Sequence, residues 1–404
     1  VYFSKKHANI NFMVYIIYNS LFSYLRSEII FMDGTLKKLD ILSEASQYDL
    51  ACACGTGKED RRHRSQDGSR WLYPVTLPGG GYSILLKTLL SNCCANDCKY
   101  CPLRSDANAR RCSLTPEETA RLFMEYYRGG KVFGLFLSSG VIGTPDYTMQ
   151  QLNGTVAILR GKYGFRGYVH LKIIPGASDA AIEEAIRLST AVSLNIETPG
   201  EKYFRKLSAA KDFNADIVRP VKLMSRLTAR GEKYAKVKCT TQFIVGAADE
   251  KDMEIVDYMD AVYNRLKFER VYFSAYQPGL GAPDIPGERN FTLKPEDHLT
   301  REHRLYQCDF LLRKYGFEKD DLIFGADGNL KLDRDPKHVW ADNHPEYFPV
   351  RINSAVKNDL LRIPGVGPET ANKIIEYRKV HHLKSLEDIG LKGAQLAKAG
   401  GYCR

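Results

Sequence analysis

Cys94-Ala95-Asn96-Asp97-Cys98-Lys99-Tyr100-Cys101 decides how the rest of this chain is read. Three cysteines stand at the spacing C-x-x-x-C-x-x-C, with an aromatic residue directly before the last. Three thiolates on one short loop can hold three irons of a [4Fe–4S] cube, because such clusters are ligated by cysteine sulfur. The loop offers no fourth cysteine, so one iron stays open to a small chelating molecule. A structural zinc site would present pairs of C-x-x-C, and no second pair follows downstream.

The chain has 404 residues, enough for one large domain and a small one. Its 44% hydrophobic and 26% charged residues are those of a globular protein, and its net charge of +10 suits an anionic partner. The ten cysteines are mostly scattered. Ligand thiols must also be reduced, so the expected setting is a reducing, oxygen-poor cytoplasm and not a disulfide framework. Residues 10–31 are apolar-rich, but Asn19, Ser20, Arg26 and Glu28 interrupt them. That is too broken for a span of about 20 apolar residues, and no membrane association is expected. Residues 1–32 read as a non-native extension, with translation starting at Met32.

From Ser83 onward, apolar runs alternate with helical patterns. The expected strands are Ser83–Leu90, Val132–Leu137, Tyr168–Ile173, Ala191–Ile196, Lys238–Val245 and Arg270–Ala275. Thr115, Pro116 and Glu118 form a capping box at the start of a helix. Nearly continuous apolar strands separated by helices predict an α/β fold with a parallel sheet covered by helices. Six βα units can make a partial barrel or an open doubly wound sheet. Either way ligands gather at the carboxyl ends of the strands, and the cysteine loop follows the first strand of the series.

The cysteine run resembles the signature of the radical S-adenosylmethionine (SAM) superfamily. That resemblance implies a (βα)6 partial barrel, a [4Fe–4S] cluster on Cys94, Cys98 and Cys101, and SAM chelating the open iron. It implies that Tyr100 leans over the SAM adenine, and that Ser138-Ser139-Gly140 stands where the superfamily has a glycine-rich turn for the SAM amino group. Asn195 and Glu197 would hydrogen-bond the ribose or the methionine end. Gln242 and Gly246 fall in a segment similar to G-x-I-x-G-x-x-E, with Glu250 beyond it. Here Gln242 replaces the first glycine, and Ser138 and Ser139 replace glycines in the other turn.

Residues 33–332 are thus expected to form the catalytic domain, and 333–352, punctuated by Asp and Pro, a linker. Beyond it, Ile363-Pro364-Gly365-Val366-Gly367-Pro368 resembles a helix-hairpin-helix DNA-binding module over 353–404. Gly365 and Gly367 permit a tight turn with exposed N–H groups at a helix start, and Lys373 and Arg378 add charge. Residues 353–404 hold nine Lys/Arg against five Asp/Glu, a net of +4. Arg219, Lys222, Arg226 and Arg230 are spaced to form a basic stripe along a helix that starts near Pro220. Cys52 and Cys54 are candidates for a role near the site, and Cys112 for packing.

Residues 33–352 resemble one family in particular, the radical SAM proteins assigned to DNA modification or repair and often encoded beside a uracil-DNA glycosylase-like partner. The resemblance rests on Lys37-Lys38-Leu39-Asp40-Ile41-Leu42, on the cysteine loop, and on Gly134–Val141. It also rests on Pro145-Asp146-Tyr147-Thr148-Met149, His170-Leu171-Lys172 and Pro175-Gly176. It implies an enzyme that takes one electron from a donor such as flavodoxin or ferredoxin. The enzyme then cleaves SAM to a 5′-deoxyadenosyl radical and abstracts a hydrogen from a nucleotide, in DNA before RNA. Two other readings stay open: radical modification of RNA or tRNA, and a non-enzymatic DNA-binding iron–sulfur protein.

Overall fold

The computed structural model describes residues 34–46, 71–76, 81–289 and 294–404. The readings of residues 1–32, Cys52 and Cys54 lie outside the described residues. A helix over residues 34–46 (α1) precedes strands β1 (Leu72–Thr76) and β2 (Tyr82–Leu89). There follow α2 (Pro116–Arg128), β3 (Gly134–Ser138), α3 (Pro145–Gly161), β4 (Tyr168–Lys172), α4 (Asp179–Leu188) and β5 (Ala191–Ser193). Next come α5 (Glu201–Leu207), a π-helical turn (Phe213–Val218), α6 (Arg219–Leu227), β6 (Lys238–Val245), α7 (Asp252–Asn264) and β7 (Arg270–Ala275). The short α8 (Pro286–Arg289) and the long α9 (Pro295–Lys314) end the sheet region.

The seven strands lie in sequence order, β1 antiparallel to β2 and the other six parallel. A doubly wound sheet reverses its strand order at a switch point. This sheet does not, so the six βα units form the wall of a partial barrel. β1 was absent from the sequence reading because Pro74 lies inside it. A proline cannot donate to a ladder, and it is tolerated here because β1 is an edge strand.

The two faces of the sheet differ. Leu86, Leu135, Val169, Val192, Phe243, Val271 and Phe273 face the helices and join one core in which each is fully buried. Their alternates, Lys87, Phe136, His170, Ser193, Gln242 and Tyr272, occupy the other face, because side chains alternate along a strand. Tyr272 on β7 lies near enough to Tyr168 on β4 to oppose its ionisation, although two strands separate them in the sheet. The polar face is therefore concave.

The barrel stops at β7 because side chains satisfy its outer edge. The hydroxyl of Tyr263 accepts from Val271 N at 2.8 Å, and Glu302 Oε2 accepts from Ala275 N at 2.6 Å. Between them, Tyr306 Oη accepts from Phe273 N and donates to its carbonyl, both at 3.0 Å. An exposed edge is a template for pairing with another chain, and these groups remove it.

The capping box forms as expected: Glu118 N donates to Thr115 Oγ1 at 3.1 Å, and Thr115 N to Glu118 Oε2 at 2.8 Å. In the segment expected as a linker, α10 (Pro336–Asp342) instead packs Trp340 and Ala341 into the main core. The Asp and Pro residues there cap and start this helix, with Asp335 Oδ1 accepting from His338 N at 3.0 Å. The tail contains α11 (Lys357–Arg362), α12 (Pro368–Tyr377) and α13 (Gly393–Ala399) around its own apolar core of Leu360, Ile363, Ile374 and Leu386. It is fastened to the body by Arg362. That guanidinium lies 3.9 Å from the Phe317 ring centre and 4.6 Å from that of Trp340, and pairs with Asp321 at 3.0 Å. Among the described residues no helix is long and apolar enough to cross a membrane.

Tyr306→Phe should leave two edge groups of Phe273 without a partner and cost about 1–3 kcal/mol, the usual cost of a buried unsatisfied group. Urea unfolding checks this, with the exposed Tyr82→Phe as the neutral control.

Candidate active site

The cysteine loop leaves the carboxyl end of β2 and is held on three sides. Toward β3, Ala95 N donates to Val141 O at 2.9 Å and Gly140 N to Ser91 O at 2.7 Å. Toward α5, Lys99 N donates to Leu207 O at 2.8 Å. Asp97 accepts from Ser208 Oγ at 2.5 Å and from Ala209 N at 2.7 Å. Burial works against the Asp97 charge, but these bonds outweigh it and hold its carboxyl below the ordinary value. Beyond β7, Ala282 N donates to Lys99 O at 2.7 Å. Arg111 fastens the return of the loop, donating to the carbonyls of Asn92, Leu103, Arg104 and Ala107 at 2.6–3.0 Å.

Cys94 and Cys98 lie close enough to Cys101 to oppose its ionisation. Burial pushes the Cys101 thiol up to about 12, and the neighbouring Cys98 and Cys94 add to the shift. Burial also raises Cys98, opposed by the ammonium of Lys211, which hydrogen-bonds it. Two backbone N–H groups point at these sulfurs: Val141 N to Cys94 Sγ and Leu103 N to Cys101 Sγ, both at 3.4 Å. Such bonds favour thiolate and tune iron–sulfur clusters. Among the described residues no group of three or more His, Cys, Asp or Glu is set to hold a single metal ion. A cube is held through three separate irons, one thiolate each, so its ligands stand farther apart than those of one ion. Three cysteines within electrostatic reach of one another, two of them met by backbone N–H groups, are the donor set that such a cube needs, and in that respect the residues present fit it.

Around this loop the expected SAM contacts come together at neighbouring strand ends. Gly140 must be glycine: a Cβ there would lie 2.4 Å from Cys93 O and 3.2 Å from Cys94 Cβ. Ser138 is buried at the end of β3, while Ser139 Oγ donates to Gly140 O at 2.7 Å. Asn195 and Glu197 are both buried beyond β5. Glu197 has φ 69°, a left-handed backbone that costs a non-glycine residue of order 1–3 kcal/mol and is typical of functional sites. Its N–H and carbonyl bridge β6, donating to Gln242 O at 3.0 Å and accepting from Ile244 N at 2.8 Å. Its carboxylate bonds Tyr100, whose hydroxyl is raised well above its ordinary value by burial first and by Glu197 second.

Tyr100 also lines a cleft with Cys101, Ile244, Ser274, Tyr276 and Gln277. Gly246, with φ 91°, turns the chain so that Glu250 Oε1 accepts from its N–H at 2.5 Å. Glu250 is anchored by Arg301, 3.5 Å away, and burial raises its carboxyl to about 7. Glu250 thus supports the turn.

Lys211 was not singled out in the sequence. It sits in a segment rich in Lys and Arg, and nothing local marks it as different. In the fold its ammonium lies 5.1 Å over the buried Phe204 ring, beside Cys98 and Glu197. Burial opposes its charge, yet those two neighbours keep its pKa above the ordinary value.

The expected nucleic-acid contacts lie apart from this site. Lys222 and Arg226 are exposed on α6, Arg230 lies beyond the end of that helix, and Arg219 is paired with Asp179. In the tail, Gly365 has φ 80° and packs on α13, where a Cβ would meet Gln395 O at 2.6 Å. Gly367 caps α12, Lys373 is exposed, and Arg378 Nη1 donates to Ile352 O at 2.9 Å within the module.

The model of the radical SAM superfamily matches residues 88–262, and that of the helix-hairpin-helix motif matches residues 348–402. The chain thus carries a radical SAM domain, the catalytic domain of enzymes that use a [4Fe–4S] cluster and S-adenosylmethionine, followed by a helix-hairpin-helix domain. No curated protein is significantly similar in sequence. Among solved structures it is similar to HydG, a maturase of the [FeFe]-hydrogenase, at 16% identity and TM-score 0.40, over 54% of this chain and 49% of that one. It therefore spans about half the length of that protein. Methylornithine synthase (PylB) gives 14% identity and TM-score 0.43 over 68% and 76% of the two chains. HydG from Carboxydothermus hydrogenoformans gives 17% and 0.42 over 75% and 79%.

Replacing Cys94, Cys98 or Cys101 singly with Ala should abolish the iron–sulfur absorbance, whereas Cys308→Ala, deep in the core, should not. Glu197→Gln should weaken SAM binding and leave iron content unchanged. Iron analysis and anaerobic equilibrium binding check both.

Proposed function

We propose that this radical SAM enzyme acts on a nucleic acid, DNA before RNA, in modification or repair. One observation carries the reading: a helix-hairpin-helix domain is built onto the same body as the radical SAM domain, clamped through Arg362 between Phe317 and Trp340. A second clamp supports it. Lys337 is buried, its ammonium donates to Val366 O at 2.6 Å, and burial lowers its pKa to about 7. A hairpin fixed in this way presents a bound strand to the site at a constant offset.

Cys94, Cys98 and Cys101 would hold the cluster, and Tyr100, Asn195, Glu197 and the turn 138–140 would hold SAM. When bound, cluster and SAM supply one-electron cleavage of a carbon–sulfur bond and a carbon radical able to take a hydrogen atom. The chain's own part is positional. The left-handed Glu197 fixes Tyr100 over the cleft, and the bonds of Asp97 and Arg111 set the thiols. The segment after β7 covers the loop through Ala282 and through the Lys99–Asp284 ion pair. A one-electron donor such as flavodoxin or ferredoxin, and a uracil-DNA glycosylase-like protein, are the partners this reading carries.

The test is anaerobic incubation of the reconstituted enzyme with reductant, SAM and a panel of damaged and intact DNA, with tRNA alongside. DNA-dependent 5′-deoxyadenosine bearing hydrogen from the DNA supports the reading; stimulation by tRNA alone moves the substrate to RNA. Lys373→Gln should lower duplex affinity several-fold and reduce the slope of log affinity against log salt by about one, as loss of one phosphate contact does. Fluorescence anisotropy across a salt series measures it.

A further inference from the structure

Three lysines around the cysteine loop are neutralised by carboxylates: Lys99 by Asp284, Lys202 by Glu254 and Lys206 by Asp249. Lys211 is spent differently. Its ammonium hydrogen-bonds the Cys98 sulfur. Among the charged groups acting on that sulfur, Lys211 is the cation, and Glu197 and Cys94 are the anions.

The chain fixes Lys211 from both sides. Before it, Asp97 of the cysteine loop accepts from Ser208 Oγ at 2.5 Å, Ala209 N at 2.7 Å and Ala210 N at 3.1 Å. After it, Asp212 caps the π-helical turn, accepting from Ala215 N at 2.6 Å, while its own N–H donates to Asp216 Oδ2 at 2.8 Å. Between these anchors the ammonium lies 5.1 Å from the ring centre of Phe204. That ring is buried against Phe213, with the two centres 5.3 Å apart. A lysine is ordinarily a flexible, hydrated point charge. This one is held against a sulfur by the same loop that carries the sulfur.

We infer that Lys211 is a positioning residue for the electron that enters this site: acting through Cys98, its fixed charge raises the reduction potential of the cluster. Net charge and hydrogen bonds to the sulfurs are among the levers that set such potentials. Three thiolates bring negative charge to the assembly, and the incoming electron adds to it. A cation bonded to one of those sulfurs therefore attracts the reduced form more strongly than the oxidised one. Away from bulk water that attraction is weakly screened. One electron leaves a low-potential one-electron carrier and one reaches the cluster. No proton has to follow it, because the compensating charge is already in place. Without Lys211, Cys98 is left beside the anionic Glu197 and Cys94.

Mediated redox titration of the anaerobically reconstituted full chain, without SAM and followed by electron paramagnetic resonance, reads this potential. Lys211→Met keeps the stem over Phe204 and removes the charge. At the wild-type midpoint, the ratio of reduced to oxidised cluster should fall about tenfold, the worth of one charge-assisted bond. For one electron that is a shift of about 59 mV to more negative potential. Lys211→Arg keeps the charge and should stay close to the wild type. Lys206→Met removes an equal charge from the surface pair with Asp249 and should leave the midpoint unmoved. Iron content equal to the wild type shows that the site is intact. Should Lys211→Met fail to hold iron, Lys211→Gln, which keeps a donor and loses the charge, is read in its place and should shift the same way. An unmoved midpoint in the iron-replete variant, an equal shift in Lys206→Met, or loss of iron from both the Met and the Gln variant overturns the assignment. Weaker SAM binding with an unmoved midpoint overturns it too, and makes Lys211 a contact of SAM instead.

Discussion

Cys98 and Cys101 sit beside Cys94 in a place where neither of the two ionises easily. Burial first and the neighbouring Cys98 second raise Cys101 to about 12, so binding iron there would have to draw its proton off. Everything nearby keeps the thiols converging despite that cost. The loop draws its shape from β3, α5 and the segment after β7, with Asp97 and Arg111 as the side-chain anchors. Gly140 lets β3 approach to within contact of Cys93 and Cys94. The same crowding puts Lys211 and Glu197 beside the sulfurs, one opposing and one reinforcing their shift. The cluster site is thus a property of three strand ends and a helix, and the loop alone would not hold it.

The open sheet follows from how its last strand ends. Tyr263, Tyr306 and Glu302 meet the outward N–H groups of Val271, Phe273 and Ala275, so β7 has no need of another strand. That leaves the concave face open along one side. A closed barrel would fill its interior with packed side chains. Here Lys87, His170 and Tyr272 give the concave face its polar character.

Much of this was legible in the sequence. Each of the six parallel strands overlaps its predicted run, because an apolar stretch bounded by turn residues is a strong signal. The Thr115 capping box was legible for the same local reason. What was missed depended on contacts between distant residues. Lys211 looks like one more surface cation until the fold brings it to Cys98, 113 positions earlier in the chain. Trp340 lies in a stretch dense with Asp and Pro, where punctuation reads as a linker, yet its ring fills the main core. The basic run from Arg219 to Arg230 follows helical spacing, but the helix stops at Leu227 and Arg219 is taken up by Asp179. Spacing reveals a face and does not reveal what neutralises it.

The account stands on the three cysteines holding a cluster whose fourth iron is open to SAM. Electron paramagnetic resonance of the anaerobically reconstituted, reduced protein, before and after SAM is added, tests that directly. The account predicts about four irons and four sulfides per chain, and a signal whose g values shift when SAM binds, because SAM becomes a ligand of the open iron. A protein that binds zinc at these cysteines, or a cluster signal indifferent to SAM, would contradict it.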